Sequence, residues 1–344
     1  MDSVIKFFSA MILAFVVFIN SIGNFFGIGD LIPTQPEVPP TTAVIGEGTT
    51  VPEETTIPEE TTVQKPTEPA TTEAVEPTKP VEDNAQRVVI GGKYVCFGWD
   101  EQQITAVLGE TEDVVYEVTK DGRQLLSLVY ASDYSKLAVF QLVDDVFSGF
   151  YTVDTAAVVT DGTNEYSIAS SGVTSQSKLS IKEYKDSHQD NIVYAIYVSY
   201  NGFSVKAKDL IDQNGQVALN FYVTNALRAI NGVYAYEYSD KATAAIKLHC
   251  EDMAARDYFD HYSPEGESVA DRLHAQGVNY RACAENIAAG SSGNAFSFAD
   301  AWYNSHAGHR EGMLSTDYDY IGIAVVVNAD GSTTYAGQNF YRNM

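Results

Sequence analysis

The side chains able to do chemistry gather in the last third of the chain. The sequence holds six histidines and three cysteines. His249, His261, His306, His309, Cys250 and Cys283 all fall between positions 249 and 309. His306 and His309 stand three apart, so on a helix they would share a face. Ser305, four residues before His309, supplies with it the nucleophile and base types of acyl transfer. No His-Glu-x-x-His run is present, and no Gly-x-Ser-x-Gly elbow marks a strained nucleophile turn. His249 sits beside an apolar helical stripe and reads as a satisfied core residue. Earlier in the chain His188 stands alone. Cys96, between Val95 and Phe97, reads as a buried free thiol.

Positioning such groups takes helices and a sheet. Thr224 can cap a helix over 225–231, which Gly232 ends. Ser239 or Asp240 can cap a longer helix to about Tyr258, whose stripe is Ala242, Ala245, Ile246, Cys250, Met253 and Ala254. Pro264 and Gly266 break it and leave His261 at its end. Ser268 with Asp271 makes a capping box for Val269–Ala275. A further helix is expected over Ala295–Ser305. Alternation in Tyr320–Val327 and Thr333–Tyr341 around Asn328–Ser332 predicts a β-hairpin. Helices flanking a small antiparallel sheet make an α-β-α sandwich.

The rest of the chain is a mosaic. Between Lys6 and Asp30 lie 23 positions without charge, long enough for an apolar helix to cross a bilayer core. We read residues 1–29 as a signal peptide or a signal anchor, an uncleaved transmembrane helix. Residues 30–86 form a Thr/Pro/Glu-rich stretch with ten of the eleven prolines and no aromatic residue. Such a segment cannot offset its ordering entropy, and it is read as a disordered linker. Residues 87–212 turn to period two: Val88–Ile90, Gln124–Tyr130, Leu137–Leu142 and Ile192–Tyr200 read as strands. One helix is expected after an Asp100 cap, ending at Gly109. The fold class is thus α+β: a C-terminal sandwich over 213–344 and a separate β-rich module. The formal charge of −25, from 21 basic and 46 acidic residues, argues against a nucleic-acid partner, because phosphate contacts need clustered Lys and Arg.

Five stretches carry a resemblance. Thr-Asn-Ala-Leu-Arg, Met-Ala-Ala-Arg-Asp-Tyr-Phe-Asp-His-Tyr-Ser-Pro, Ala-Glu-Asn-Ile-Ala, Ala-Trp-Tyr-Asn-Ser…Gly-His-Arg and Tyr-Ile-Gly-Ile-Ala occur in that order. The C-terminal region resembles the bacterial branch of the CAP superfamily, the cysteine-rich secretory, venom-antigen and plant pathogenesis-related proteins. Residues 87–212 are similar, more weakly, to a module found before such domains on Gram-positive surfaces. The resemblance implies a cleft lined by His261, Glu285 and His309. Where plant and animal members carry a second Glu, this chain has Ser305. Two imidazoles and a carboxylate are a ligand set for Zn or another divalent metal, with Asn286, or the partner carboxylate itself, able to orient a ring from behind. Ser305, His309 and Glu285 also supply the residue types of a hydrolytic chain. A hydrogen-bonded network of the same residues would explain them without ligand or reaction. Cys250 and Cys283 are the disulfide candidates for an exported protein in an oxidising place.

The expectation is a secreted, extracellular or membrane-anchored protein of the cell surface or cell wall. It would bind a lipid, peptide or glycan in that cleft without catalysis. The alternatives are an extracellular hydrolase of peptide or wall material, and a scaffold that meets a protein partner through residues 87–212.

Overall fold

The computed structural model describes residues 86–169 and 179–344. The apolar segment and nearly all of the Thr/Pro/Glu-rich stretch lie outside the described residues. No described helix is long and apolar enough to cross a membrane.

Two strands, β1 (Arg87–Ile90) and β2 (Lys93–Cys96), are followed by helix α1 (Glu101–Leu108). Asp100 caps α1 with a reciprocal capping box to Gln103, and Gly109 at φ 98° ends it, as its sequence predicts. Strands β3 (Asp113–Val118), β4 (Gln124–Tyr130), β5 (Ala138–Val143), β6 (Val146–Thr152), β7 (Val158–Thr160), β8 (Glu165–Ser167), β9 (Leu179–Asp186) and β10 (Ile192–Tyr200) complete the β-rich region. They form a four-stranded sheet, β2-β1-β7-β8, and a six-stranded sheet, β3-β4-β5-β6-β10-β9. Alternate residues of the larger sheet serve two cores. Leu128, Phe140 and Phe150 face β1, β2 and α1. Their sequence neighbours Val129, Val139 and Tyr151 face the C-terminal region. Burial on both faces explains the near-continuous apolar runs of β5 and β6.

The C-terminal region begins with α2 (Asn214–Ile230), then β11 (Glu237–Tyr238), α3 (Asp240–Arg256), α4 (Val269–Ala275), β12 (Tyr280–Gly290), α5 (Ala295–Tyr303), α6 (His309–Leu314), β13 (Tyr320–Val327) and β14 (Thr334–Asn343). Its sheet runs β11-β13-β14-β12. Ala324 and Tyr335 pack on α3, whereas Ile321, Ile323, Val325 and Phe340 join α2 and α5. That is the expected α-β-α layering. Helix α2 starts eleven residues earlier than the Thr224 cap implied. No side chain caps it at Gln213. Its first turn lies against β3, where an added Cβ at Gly215 would meet Glu117 Cγ at 2.3 Å. Tertiary packing, rather than a cap, sets this end.

Two glycines let α3 approach the sheet. A Cβ at Gly322 would lie 2.2 Å from the backbone carbon of Ala242, and one at Gly337 would lie 2.4 Å from Ile246 Cδ1. Gly322→Ala must therefore displace helix backbone. We expect a loss of about 1–3 kcal/mol or more, read as a lower urea midpoint. A midpoint equal to wild type would refute this close approach.

The disulfide is corrected. Cys96, Cys250 and Cys283 are all free and buried. Cys250 Sγ lies over Gly337, which pairs in register with Ile287. Cys283 lies four residues before Ile287 on β12, roughly 13 Å away at the rise of a strand. A disulfide needs Cα atoms within about 7 Å. Burial pushes the Cys283 thiol up to about 11, and the Cys250 and Cys96 thiols up as well.

Candidate functional site

Strand β12 is the edge of the C-terminal sheet and pairs with β14. It presents successive side chains to opposite faces. Cys283 packs with Ala245 and Leu273 of α3 and α4, so Glu285, two residues on, shares their face. Asn286 faces the other way. It donates to the His309 backbone carbonyl at 3.0 Å and to Gln338 Oε1 at 3.2 Å. The proposal that Asn286 orients a ring is thus corrected: it anchors the start of α6 through main chain.

Glu285 is 2 % exposed at its side chain, against 49 % for His261. Its Oε1 lies 3.0 Å from His261 Nδ1, and its Oε2 accepts from Arg272 Nη2 at 2.7 Å. Arg272 also donates to the Glu267 and His261 carbonyls at 2.9 and 3.0 Å, holding the 261–267 loop on α4. A carboxylate only accepts, so His261 carries a proton on Nδ1, and the neutral form of the ring has its lone pair on Nε2. His249, 1 % exposed, lies 3.9 Å from Glu285 Oε1. Burial lowers its pKa. Its Nε2–H donates to the Asp260 carbonyl at 2.9 Å, so it is the neutral core histidine its stripe predicts.

His309 has a different partner. Its Nδ1 lies 2.7 Å from Ser305 Oγ. That oxygen also accepts the Ala307 N–H at 3.1 Å, and its own proton is free to point at Nδ1. With the hydroxyl donating, the neutral His309 ring carries its proton on Nε2. Burial, with the His261 ring acting in the same direction, pushes the His309 pKa below its ordinary value, so the ring is neutral at pH 7. Neither Nε2 has a hydrogen-bond partner among the described residues.

The hydrolytic chain is not assembled as the residue types suggested. Ser305 and His309 pair, but through Nδ1, and Glu285 orients His261 instead. A metal set of His261, Glu285 and His309 does not fit either. Both Glu285 oxygens are engaged by Arg272 and His261, and no group of three His, Cys, Asp or Glu among the described residues is arranged for a metal. His306 and His309 do not share a helix face, because α6 begins at His309. His306 instead stacks on His188 with ring centroids 4.0 Å apart, so His188 is not alone.

Sequence reasoning passed over Arg272 and Arg310. Arg272 lies between Asp271 and the core residue Leu273, and its place beside that core position was the one available signal. A hollow of about 240 Å³ on its far side is lined by His249, Arg256, Ser263, Glu267 and Arg272, and by none of His261, Glu285 or His309.

Residues 221–340 match the sequence model of the CAP, or cysteine-rich secretory protein, family. An uncharacterized membrane protein of Bacillus subtilis, YlbC, is 30% identical over 158 residues, covering 42% of this chain and 41% of that protein. A second uncharacterized protein of that organism, YkwD, is 32% identical over 104 residues, covering 30% of this chain and 40% of its own. The matched stretches thus span about two fifths of these curated relatives. An extracellular protein of Bacillus anthracis containing an SCP domain superposes with a TM-score of 0.56 at 18% identity, covering 78% of this chain and 100% of that one. A cysteine-rich secretory protein of Staphylococcus aureus gives 0.51 at 14%, covering 71% and 93%. The fold likeness therefore takes in much of the β-rich region as well as the region the family model matches.

Proposed function

We propose, from the premise that residues 221–340 form a CAP-type domain, that this chain is an exported surface protein whose cleft binds an extracellular ligand without turning it over. The N-terminal apolar segment would direct export, as a cleaved signal or an anchor. The Thr/Pro/Glu-rich stretch would hold the domain away from the membrane, and the similarity to a protein with an SCP domain described as extracellular supports that setting.

One arrangement supports the reading: His261 meets Glu285 and His309 meets Ser305, each through Nδ1, and we assign the two rings opposite tautomers. Glu285 leaves His261 Nε2 an acceptor, and Ser305 leaves His309 Nε2–H a donor. An acceptor on one ring and a donor on the other fit a group that both donates and accepts, above all a secondary amide. Peptides carry it in the backbone and wall glycans in the acetamido group, whereas a lipid tail carries neither donor nor acceptor.

The test is calorimetric titration of acetamido-sugar oligomers and short peptides into wild type and His309→Ala. His309 is half-buried and gives up about one hydrogen bond, so the variant should melt within about 2–4 °C of wild type. Binding heat should vanish with it. Equal heats would end the cleft reading. A large drop in melting temperature would mean that the residues form a stabilising network. New amine or reducing ends in the wild-type mixture would move the assignment to hydrolysis.

A further inference from the structure

We infer that the turn joining β9 and β10 is a working part of the cleft, and that Asp186, on the β-rich region, is a positioning residue for His309. The inference rests on His309 as the donor of the proposed binding site.

The cleft side of His309 hangs on one bond, Ser305 Oγ to His309 Nδ1, which closes the 305–309 loop. The β9–β10 turn grips that loop at both ends. On the near side, the Ser187 N–H donates to Asn304 Oδ1 at 2.7 Å, and Ser187 Oγ to the Asn304 carbonyl at 3.2 Å. His188 Nε2–H donates to the Ser305 carbonyl at 3.1 Å, and its ring stacks on His306. On the far side, Asp186 takes Arg310 in a two-point pair, Nη1 to Oδ1 at 3.2 Å and Nη2 to Oδ2 at 2.9 Å. Tyr303 Oη donates to the same carboxylate at 3.0 Å. The pair is buried, 10 % exposed at Arg310 and 4 % at Asp186. Arg310 directly follows His309 at the start of α6, and also donates to the Tyr303 carbonyl at 2.9 Å. Two-point geometry fixes a guanidinium in direction as well as distance.

The turn is itself held in shape. Asp186 Oδ1 accepts the His188 N–H at 2.9 Å, and the Asn191 N–H returns to the Asp186 carbonyl at 3.0 Å. One carboxylate therefore shapes the turn, anchors Arg310 and meets Tyr303. These contacts run from Asn304 to His306 and resume at Arg310, on either side of His309. A pure interdomain adhesive could sit anywhere on the shared surface, as the Tyr222 Oη to Asp113 Oδ2 bond of 3.1 Å does.

The experiment is NMR of the full chain with ¹⁵N-labelled histidine, following the His309 ring nitrogens through a pH titration. Four variants are compared with wild type: Asp186→Asn, His188→Ala, Ser305→Ala and Tyr222→Phe. His188 is exposed, so its variant folds even if Asp186→Asn does not. His188→Ala should move the His309 midpoint upward by about 0.5 pH unit or more as its surroundings loosen; Asp186→Asn, which also removes a carboxylate charge, should shift it by a similar size, and both should weaken the lone-pair signature of Nδ1. Tyr222→Phe, which cuts a contact between the same two regions elsewhere, should leave both unchanged. Wild-type behaviour in Asp186→Asn and His188→Ala, or an equal shift in Tyr222→Phe, would overturn the positioning role. Ser305→Ala separates the two levels: an Nδ1 signal unchanged in that variant would overturn the tautomer pair itself, whatever the other variants do.

Discussion

Glu285→Ala is expected to destabilise the protein by about 3–5 kcal/mol, far more than the loss of any cleft histidine. The reason is Arg272. Its side chain is 8 % exposed and its charge is met by Glu285 Oε2 at 2.7 Å. Deleting one member of a buried pair leaves the other as an uncompensated buried charge. The 261–267 loop, which Arg272 holds through two carbonyls, would loosen with it. At about 2–4 °C per kcal/mol for a domain of this size, the melting temperature should fall by roughly 10 °C. His261→Ala removes a ring that is half in solvent and should cost about 1 kcal/mol. The contrast divides the site into a buried weld, Glu285 with Arg272, and two rings that the weld and Ser305 orient. Equal unfolding midpoints for Glu285→Ala and wild type would refute the weld.

Relative to Glu117→Gln, the wild type should lose stability as pH rises from about 5 to 8. Glu117 is 6% exposed, on β3 against the first turn of α2. Burial pushes its pKa up from 4.5 to about 7; the bond from Gln216 opposes this and Asp212 adds to it. Below pH 4.5 the carboxyl is protonated in both folded and unfolded chains. Between 4.5 and 7 the folded chain keeps a proton that the unfolded chain has released, so each step up in pH favours unfolding. Above 7 the full cost is present. The difference of about 2.5 pH units corresponds to about 3 kcal/mol. The amide oxygen introduced by Glu117→Gln would still accept the Gln216 amide that now lies 2.9 Å from Glu117 Oε1, and the new side chain carries no charge to desolvate. The variant should match wild type near pH 4.5 and melt roughly 6–12 °C higher at pH 8. Parallel pH profiles for the two proteins would dispose of the idea. The effect would make the contact between the β-rich and C-terminal regions firmer in acid.

Much of this protein was legible in its sequence. The Asp100 cap with Gly109, the Ser268–Asp271 box, the Ser239 cap and the β13–β14 hairpin all rest on interactions within a few residues. Period and capping report such interactions directly. The motif order also singled out His261, Glu285 and His309. Beyond that range the pattern was silent. β12 reads as a weak strand because Ala, Glu and Asn have low strand preference, and only its pairing with β14 makes it one. The pairing of charges was invisible too. Which histidine Glu285 meets, that Arg272 holds both, and that Asp186 reaches Arg310 across 124 positions are decided by the packing of helices on a sheet. Local sequence records which face a residue occupies; it does not record what stands opposite. In this chain the residue opposite decides which nitrogen of each ring is engaged.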